Sequence, residues 1–479
     1  MGLKEKTVKS VKWNTIATVV TMLLQVIQLA ILTRLLEKSD FGLVAIASLV
    51  ISFTDIFSEL GITVALIHKQ NISSDEYSSV FWLNVIVSIV IFVITILSAP
   101  LVAVFYNEPR LTLIISLFAL KILFNAFGKM FQTIKVKNLE FGFISKVRIL
   151  TAIIGLIATV TLAYAGLGVM SMVYGQLITV GFNQLVFAIT GLKTEHIRLH
   201  FSFNEVKDFL SIGLYQLGTR ILDFAAARLD IFLIGKFFSM EELGLYNIAK
   251  DLVIKPYSIL NSISSSVFSS SFARMQDNMI LLKQSFNKLL RATSIASVFI
   301  YAVLIILSDF IVHILYAPSY MEVAAFIRIM AYVGIFSAIT SQSATIMISL
   351  GRTDLGFKWT IIQIIMSVLV LIGTAPMGLY PVAVGQSVLA FVSLIVYYYI
   401  VVQPLLKNYC IWDYLNTVKS CLLSLVILLP ISFFYTTIAK EYVVQFGITS
   451  IFMIILYLYT QRYDKELVSE VVGLIKRKK

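Results

Sequence analysis

Apolar runs long enough to cross a bilayer as helices follow one another along the whole chain of 479 residues, with only short polar segments between them. In hydrocarbon each backbone polar group must find its partner within its own segment or in a closed barrel, so runs of this length confine the chain to helices. Read by length and charge, the runs fall at about 13–33, 41–67, 80–104, 111–134, 147–165, 169–191, 208–235, 243–270, 290–315, 323–349, 359–377, 381–403, 415–437 and 443–461. The expected fold is therefore an all-α integral membrane protein of about 14 transmembrane helices. Charged residues make up 13% of the chain and the mean hydropathy is +0.91. A soluble domain carries about 25% charged residues, so a large water-soluble core is excluded. The N-terminal Lys-rich stretch and first apolar run lead straight into the second span without a small-residue cleavage site, which predicts an uncleaved first helix.

An even number of spans places both termini on one side, and the basic residues say which. With the N-terminus inside, 26 of the 38 Lys and Arg flank inner segments, 5 flank outer segments and 7 lie within spans. That bias predicts both termini in the cytoplasm and a multi-pass protein of the inner (cytoplasmic) membrane. The net charge of +12 is scattered between apolar runs, which suits topology and anionic-lipid contact and predicts no nucleic-acid partner. Asn71-Ile72-Ser73 matches a glycosylation sequon but falls on the inner side. Two cysteines, Cys410 and Cys421, supply neither a disulfide framework nor a metal quartet.

The most informative stretch runs from Gly213 to Asp251. Arg220, Asp223, Arg228 and Asp230 lie inside a helix-length apolar run, and at about 100° per residue all four fall within roughly 160° of arc. Ionisable groups at that depth mark a substrate or ion pathway; internal ion pairs that only fix packing are the alternative. Asp55 and Glu59 stand four apart on one face of the second span, a spacing that suits a proton or sodium coupling site, as Asp223 and Asp230 also would. Lys121, Asn125 and Lys129 form a polar ladder along the fourth span. Lys250, Lys255 beside Pro256, and Arg328 complete a set of seven intramembrane cations: Lys121, Lys129, Arg220, Arg228, Lys250, Lys255 and Arg328. They are the candidate lining of a cationic substrate cavity. No cofactor or metal is expected beyond a coupling H+ or Na+.

The same stretch restarts the protein. Thr33–Ala47 and Gly235–Ala249 align on Gly42 and Gly244 with an offset of 202 residues, matching Asp40 to Glu242 and Leu43, Ile46, Ala47 to Leu245, Ile248, Ala249. Two weaker echoes follow in the same order: Glu140–Phe143 with Asp354–Phe357, and Gly175-Gln176 with Gly385-Gln386. Together they predict a duplicated bundle with a site between the halves. A phosphate loop of the form G-x-x-x-x-G-K-S/T, an H-E-x-x-H, a CxxC and a G-x-S-x-G are all absent, and no loop is long enough to present a catalytic acid–base pair, so the chain is not expected to be an enzyme.

The Lys9…Trp13-Asn14-Thr15 opening, LTRLLEKSDFGL at Leu32–Leu43 and ARLDIFLIGKF at Ala227–Phe237, followed by LGLYNIA, resemble the polysaccharide transporters: Wzx-type lipid-linked oligosaccharide flippases and the related teichuronic and colanic acid exporters. These belong to the multidrug/oligosaccharidyl-lipid/polysaccharide exporter superfamily, with MATE exporters and MurJ flippases. The resemblance implies two pseudo-symmetric six-helix lobes, 1–207 and 208–403, and two further helices with a basic cytoplasmic tail at 404–479. It implies alternating access and a polyprenyl-pyrophosphate oligosaccharide as substrate, for export of an O-antigen, capsule, exopolysaccharide or teichuronic acid type of polymer. The bilayer and other polysaccharide assembly proteins are the implied partners. A MATE-like exporter of small cations would want an acidic cavity, whereas these spans lean basic. A membrane-embedded polysaccharide polymerase is the third reading.

Overall fold

The computed structural model describes residues 3–59, 66, 72–406, 408–433 and 441–463, and among these there are helices and turns but no strand. Eight long helices come first: α1 (Leu3–Leu32), α2 (Lys38–Glu59), α3 (Ser74–Tyr106), α4 (Arg110–Lys137), α5 (Phe141–Tyr164), α6 (Val169–Thr194), α7 (Phe203–Phe237) and α8 (Met240–Arg274). Then follow α9 (Met279–Ile306), a short α10 (Ser308–Leu315), α11 (Val323–Ser349), α12 (Thr353–Thr374), α13 (Leu379–Tyr397), a short α14 (Ile411–Thr417), α15 (Lys419–Phe433) and α16 (Tyr442–Tyr463). Eleven of the described helices are long and apolar enough to span a bilayer, and α14 with α15 forms one more span bent by 61°. α7 and α8, each 35 residues long and interrupted by charges, are not among these. This is a multi-pass membrane protein.

Two of the expected spans are broken. The run at 290–315 divides at Leu307 into α9 and α10, and the run at 415–437 bends at Val418, with 434–437 outside the described residues. The far end of the second span, 60–67, also lies outside them except for the buried Leu66. Backbone contacts divide the chain into Met1–Asn247 and Ile248–Lys479. This boundary falls one helix later than the 207/208 register of the sequence repeat, because α7 packs on α2 and α3.

In the first unit α4 packs against both α3 and α6, and α5 against α1 and α6. Small residues allow close approach: a Cβ on Gly155 would stand 1.8 Å from Thr179 Oγ1, and one on Gly175 1.8 Å from Thr159 Oγ1, so each glycine receives a threonine side chain of the other helix. Helix ends are set locally. Ser73 and Glu76 form a reciprocal capping box that starts α3, and Asn107, at φ 55°, ends it in the left-handed conformation. The connection from α6 to α7 folds back on α3: Trp82 Nε1 donates to the Arg198 carbonyl (2.9 Å), and Ser79 Oγ donates to Glu205 Oε2 (2.5 Å). His200 Nε2 donates to Glu205 Oε1 (3.0 Å), which raises the imidazole pKa above its ordinary value.

The two glycines that align in the sequence repeat meet in space. A Cβ on Gly42 would lie 2.0 Å from the Met240 carbonyl oxygen, and one on Gly244 2.0 Å from the Lys38 carbonyl oxygen. Only hydrogen fits at either position, and Lys38 Nζ pairs with Glu241 Oε1 at 3.1 Å alongside. The aligned acids also act alike: Asp40 accepts from the Glu37 amide (3.3 Å) and Glu242 from the Ser239 amide (3.1 Å), each closing the first turn of its helix.

In the second unit α11 packs against α9 and α13, and α15 and α16 lie on α9. Tyr301, fully buried, donates to the Val253 carbonyl at 2.8 Å. Arg328 pairs with Asp309 (Nη2 to Oδ1, 3.0 Å) and donates from Nε to Ser308 Oγ (3.2 Å), which fastens α11 to the start of α10.

Candidate functional site in the first helical unit

Hydrocarbon-spanning helices have no solvent to satisfy side-chain polar atoms, so polar residues that turn inward must satisfy one another. Those of the first unit gather in one interior, several of them paired with one another. Asp55 and Ser58 from α2, Asn84 and Ser88 from α3, and Asn125, Lys129 and Thr133 from α4 line a cavity of about 70 Å³, room for water or a small ion. Asn84 Nδ2 donates to the Ala126 carbonyl at 3.0 Å, which fixes α3 against α4 at this level. One turn away, Lys121 Nζ donates to Gln176 Oε1 (2.5 Å), lies 3.9 Å over the Phe118 ring, and is within electrostatic reach of Asp55.

Asn125, the middle rung of the Lys121–Lys129 ladder, links this cavity to a second one. Its Oδ1 accepts from Gln184 Nε2 at 3.1 Å, and it also lines a groove of about 460 Å³ between α1, α4, α5 and α6. The groove holds Arg148, whose Nη2 donates to Thr18 Oγ1 at 2.7 Å. A carboxylate and three cations thus stand along one polar interior: Asp55, Lys129, Lys121 and Arg148.

The expected site residues divide between the units. Asp55, Lys121 and Lys129 come together as described. Glu59 ends α2, and its side chain lies outside the described residues. Arg220, Asp223, Arg228 and Asp230 all stand on α7 in the first unit. Asp230 has a packing role, since its Oδ2 accepts from buried Tyr246 (2.8 Å) and its Oδ1 from the Ile231 amide (2.9 Å), tying α7 to α8. Arg228 is half-buried and makes neither an ion pair nor a hydrogen bond among the described residues. Lys250, Lys255 and Arg328 belong to the second unit. Lys255 Nζ is 3.4 Å from the Asp251 carbonyl, and Arg328 is held by Asp309.

Sequence reasoning missed Arg148, Gln176 and Gln184. Arg148 looked like a flank of a span beginning at 147, but α5 begins at Phe141, so seven residues at 1.5 Å each carry Arg148 about 10 Å into the helix. The signal was present in the apolar Phe141–Ile144 segment ahead of it.

Residues 31–325 match a family described as polysaccharide biosynthesis protein. The chain is 25% identical over 419 residues to an uncharacterized membrane protein in the cps region of Klebsiella pneumoniae, covering 87% of this chain and 86% of the relative. It is 26% identical over 409 residues to the lipopolysaccharide biosynthesis protein WzxC of Escherichia coli (strain K12), covering 85% and 83%. A solved structure of the lipid II flippase MurJ in an inward closed conformation shares the fold with a TM-score of 0.77 at 15% identity, over 95% of this chain and 99% of that one.

Proposed function

Because the chain belongs to the polysaccharide biosynthesis protein family, we propose that it is a transporter, not an enzyme, that flips polyprenyl-pyrophosphate-linked oligosaccharide units across the cytoplasmic membrane for export of a surface polysaccharide. The family match, extending over more than half of the chain, carries this reading. The resemblance to the E. coli lipopolysaccharide biosynthesis protein over most of both chains supports it, and so does the chemistry of the first unit. A pyrophosphate demands cations, and sugars demand hydroxyls and amides; the interior of α1–α6 supplies both. The polyprenyl tail stays in lipid, and the head group passes by alternating access. The test is deletion in the native host followed by mass spectrometry of membrane lipids. Polyprenyl-linked repeat units are expected to accumulate. A deletion strain with wild-type lipid-linked sugars and normal surface glycan would sink the assignment.

Asp55 is the proposed coupling group, since it shares its cavity with Lys129 and acts on Lys121. The Asp55→Asn variant is expected to insert normally and to lower transport at least tenfold, with a flattened dependence on proton or sodium gradient. Wild-type transport by Asp55→Asn across both gradients would make the residue structural.

Both termini are proposed to be cytoplasmic. A cysteine at Asn107, in the turn between α3 and α4, should react with an impermeant maleimide from outside, and one at Thr194 should not. The reverse pattern would invert the topology.

A further inference from the structure

The groove that holds Arg148 has features that narrow the chemistry of the saccharide it can take. Thr18, Thr21 and Gln25 stand at i, i+3 and i+7 on α1 and present one polar face to it. Across from them are Arg148 and Thr151 on α5 and Asn183 on α6, and no carboxylate among the described residues lines it. Arg148 Nη2 donates to Thr18, whereas its Nε is buried with no partner among the described residues. A guanidinium among neutral groups in a low-dielectric bundle calls for an anion. The neutral groups narrow the chemistry. Asn183 donates to Thr151 Oγ1 at 3.3 Å and keeps its amide carbonyl available, and Gln25 makes no hydrogen bond among the described residues. Amides both accept and donate, so they complement a ligand that has hydroxyls. A phosphodiester offers acceptors alone and would leave the amide carbonyls unmatched. A volume of about 460 Å³ is within the range of small-molecule sites, roughly 300–1,000 Å³, and far exceeds the needs of a lone phosphate.

We infer that the α1–α5–α6 groove binds an acidic sugar residue, with Arg148 on its carboxylate and Gln25, Asn183 and the threonines on its hydroxyls. This rests on the oligosaccharide reading and adds that the preferred saccharide carries a carboxylate. The groove is a selectivity site, separate from the cavity of Asp55 and Lys129 except at Asn125, which lines both.

The test is ligand binding by the purified full-length protein, followed as a shift in thermal unfolding. The probes are a glucuronate-containing disaccharide, its glucose analogue, inorganic phosphate and phosphatidylglycerol in mixed micelles. The acidic disaccharide should stabilise the wild type and the neutral one should not. Arg148→Gln should weaken the acidic disaccharide by roughly tenfold or more, and Arg148→Lys by less, because the charge survives without the fork. Gln25→Ala, which leaves the cation in place, should weaken it a few-fold and serves if Arg148→Gln does not fold. Equal stabilisation by phosphate or phosphatidylglycerol, lost in Arg148→Gln, would make the groove a lipid head-group site and overturn the inference. Absence of any Arg148-dependent binding would overturn it as well. Accumulation of lipid-linked sugars in the deletion strain is read independently, so the groove can fail while the flippase assignment stands, and the reverse.

Discussion

Arg228→Ala is expected to reduce glycan export at least a hundredfold while the protein reaches the membrane at normal abundance. Placing an arginine mid-helix costs about 2.5–3.5 kcal/mol on insertion scales, and Arg228 recovers none of that through an ion pair or hydrogen bond among the described residues. Removing it should therefore leave folding intact. A half-buried arginine so placed is available to an anionic head group, the partner expected for it. A charge-assisted contact of that kind in a water-poor site is worth about 2–3 kcal/mol, which corresponds to the hundredfold. Arg228→Lys should restore export only in part. Complementation of a flippase-null strain, with membrane abundance followed by immunoblot, decides it. Full complementation by the alanine variant would remove Arg228 from the site.

Arg328→Ala is expected to do the opposite, depleting the protein rather than its activity per molecule. The Arg328 side chain is 11% exposed and holds both Asp309 and Ser308. Its removal strands a carboxylate that is 30% exposed beside a truncated side chain, a loss below the roughly 3–5 kcal/mol of a fully buried pair. The second unit should melt earlier and abundance should fall severalfold. Replacing both partners, Arg328→Met with Asp309→Leu, should recover most of the thermal stability, because no charge is then left behind. If Arg328→Ala has wild-type abundance and melting but exports nothing, the arginine belongs to the transport machinery after all.

These two arginines show where sequence reading stops. Both were visible as charges within apolar runs, and the helix carrying each was correctly expected from run length and the cost of unsatisfied backbone. What distinguishes them is a partner on another helix. Asp309 is nineteen residues before Arg328, beyond any i, i+4 rule, and only the break at Leu307 brings it into reach. The ladder Lys121–Asn125–Lys129 was legible because helical spacing alone creates it. Its acceptors, Gln176 and Gln184, come from α6, and no periodicity points from one helix to another. Arg148 was obscured by a boundary: a span cut six residues late turned an interior cation into a topological marker. Asp230, whose depth suggests ion traffic, also accepts from Tyr246, a bond between helices that no periodicity points to.

The meeting of Gly42 with Met240 and of Gly244 with Lys38 has a consequence for how the joint behaves mechanically. Most helix contacts interlock side chains, and separating them requires rotamers to be reset on both sides. Here bare α-carbons touch carbonyl oxygens, each half of the duplicated motif seated against the other. Such a surface has little to unlock and nothing to re-thread. Only the Lys38–Glu241 pair at its edge joins the two segments through side chains of opposite charge. Two glycine-bearing segments that align in the sequence thus supply both faces of one contact without side-chain interlock.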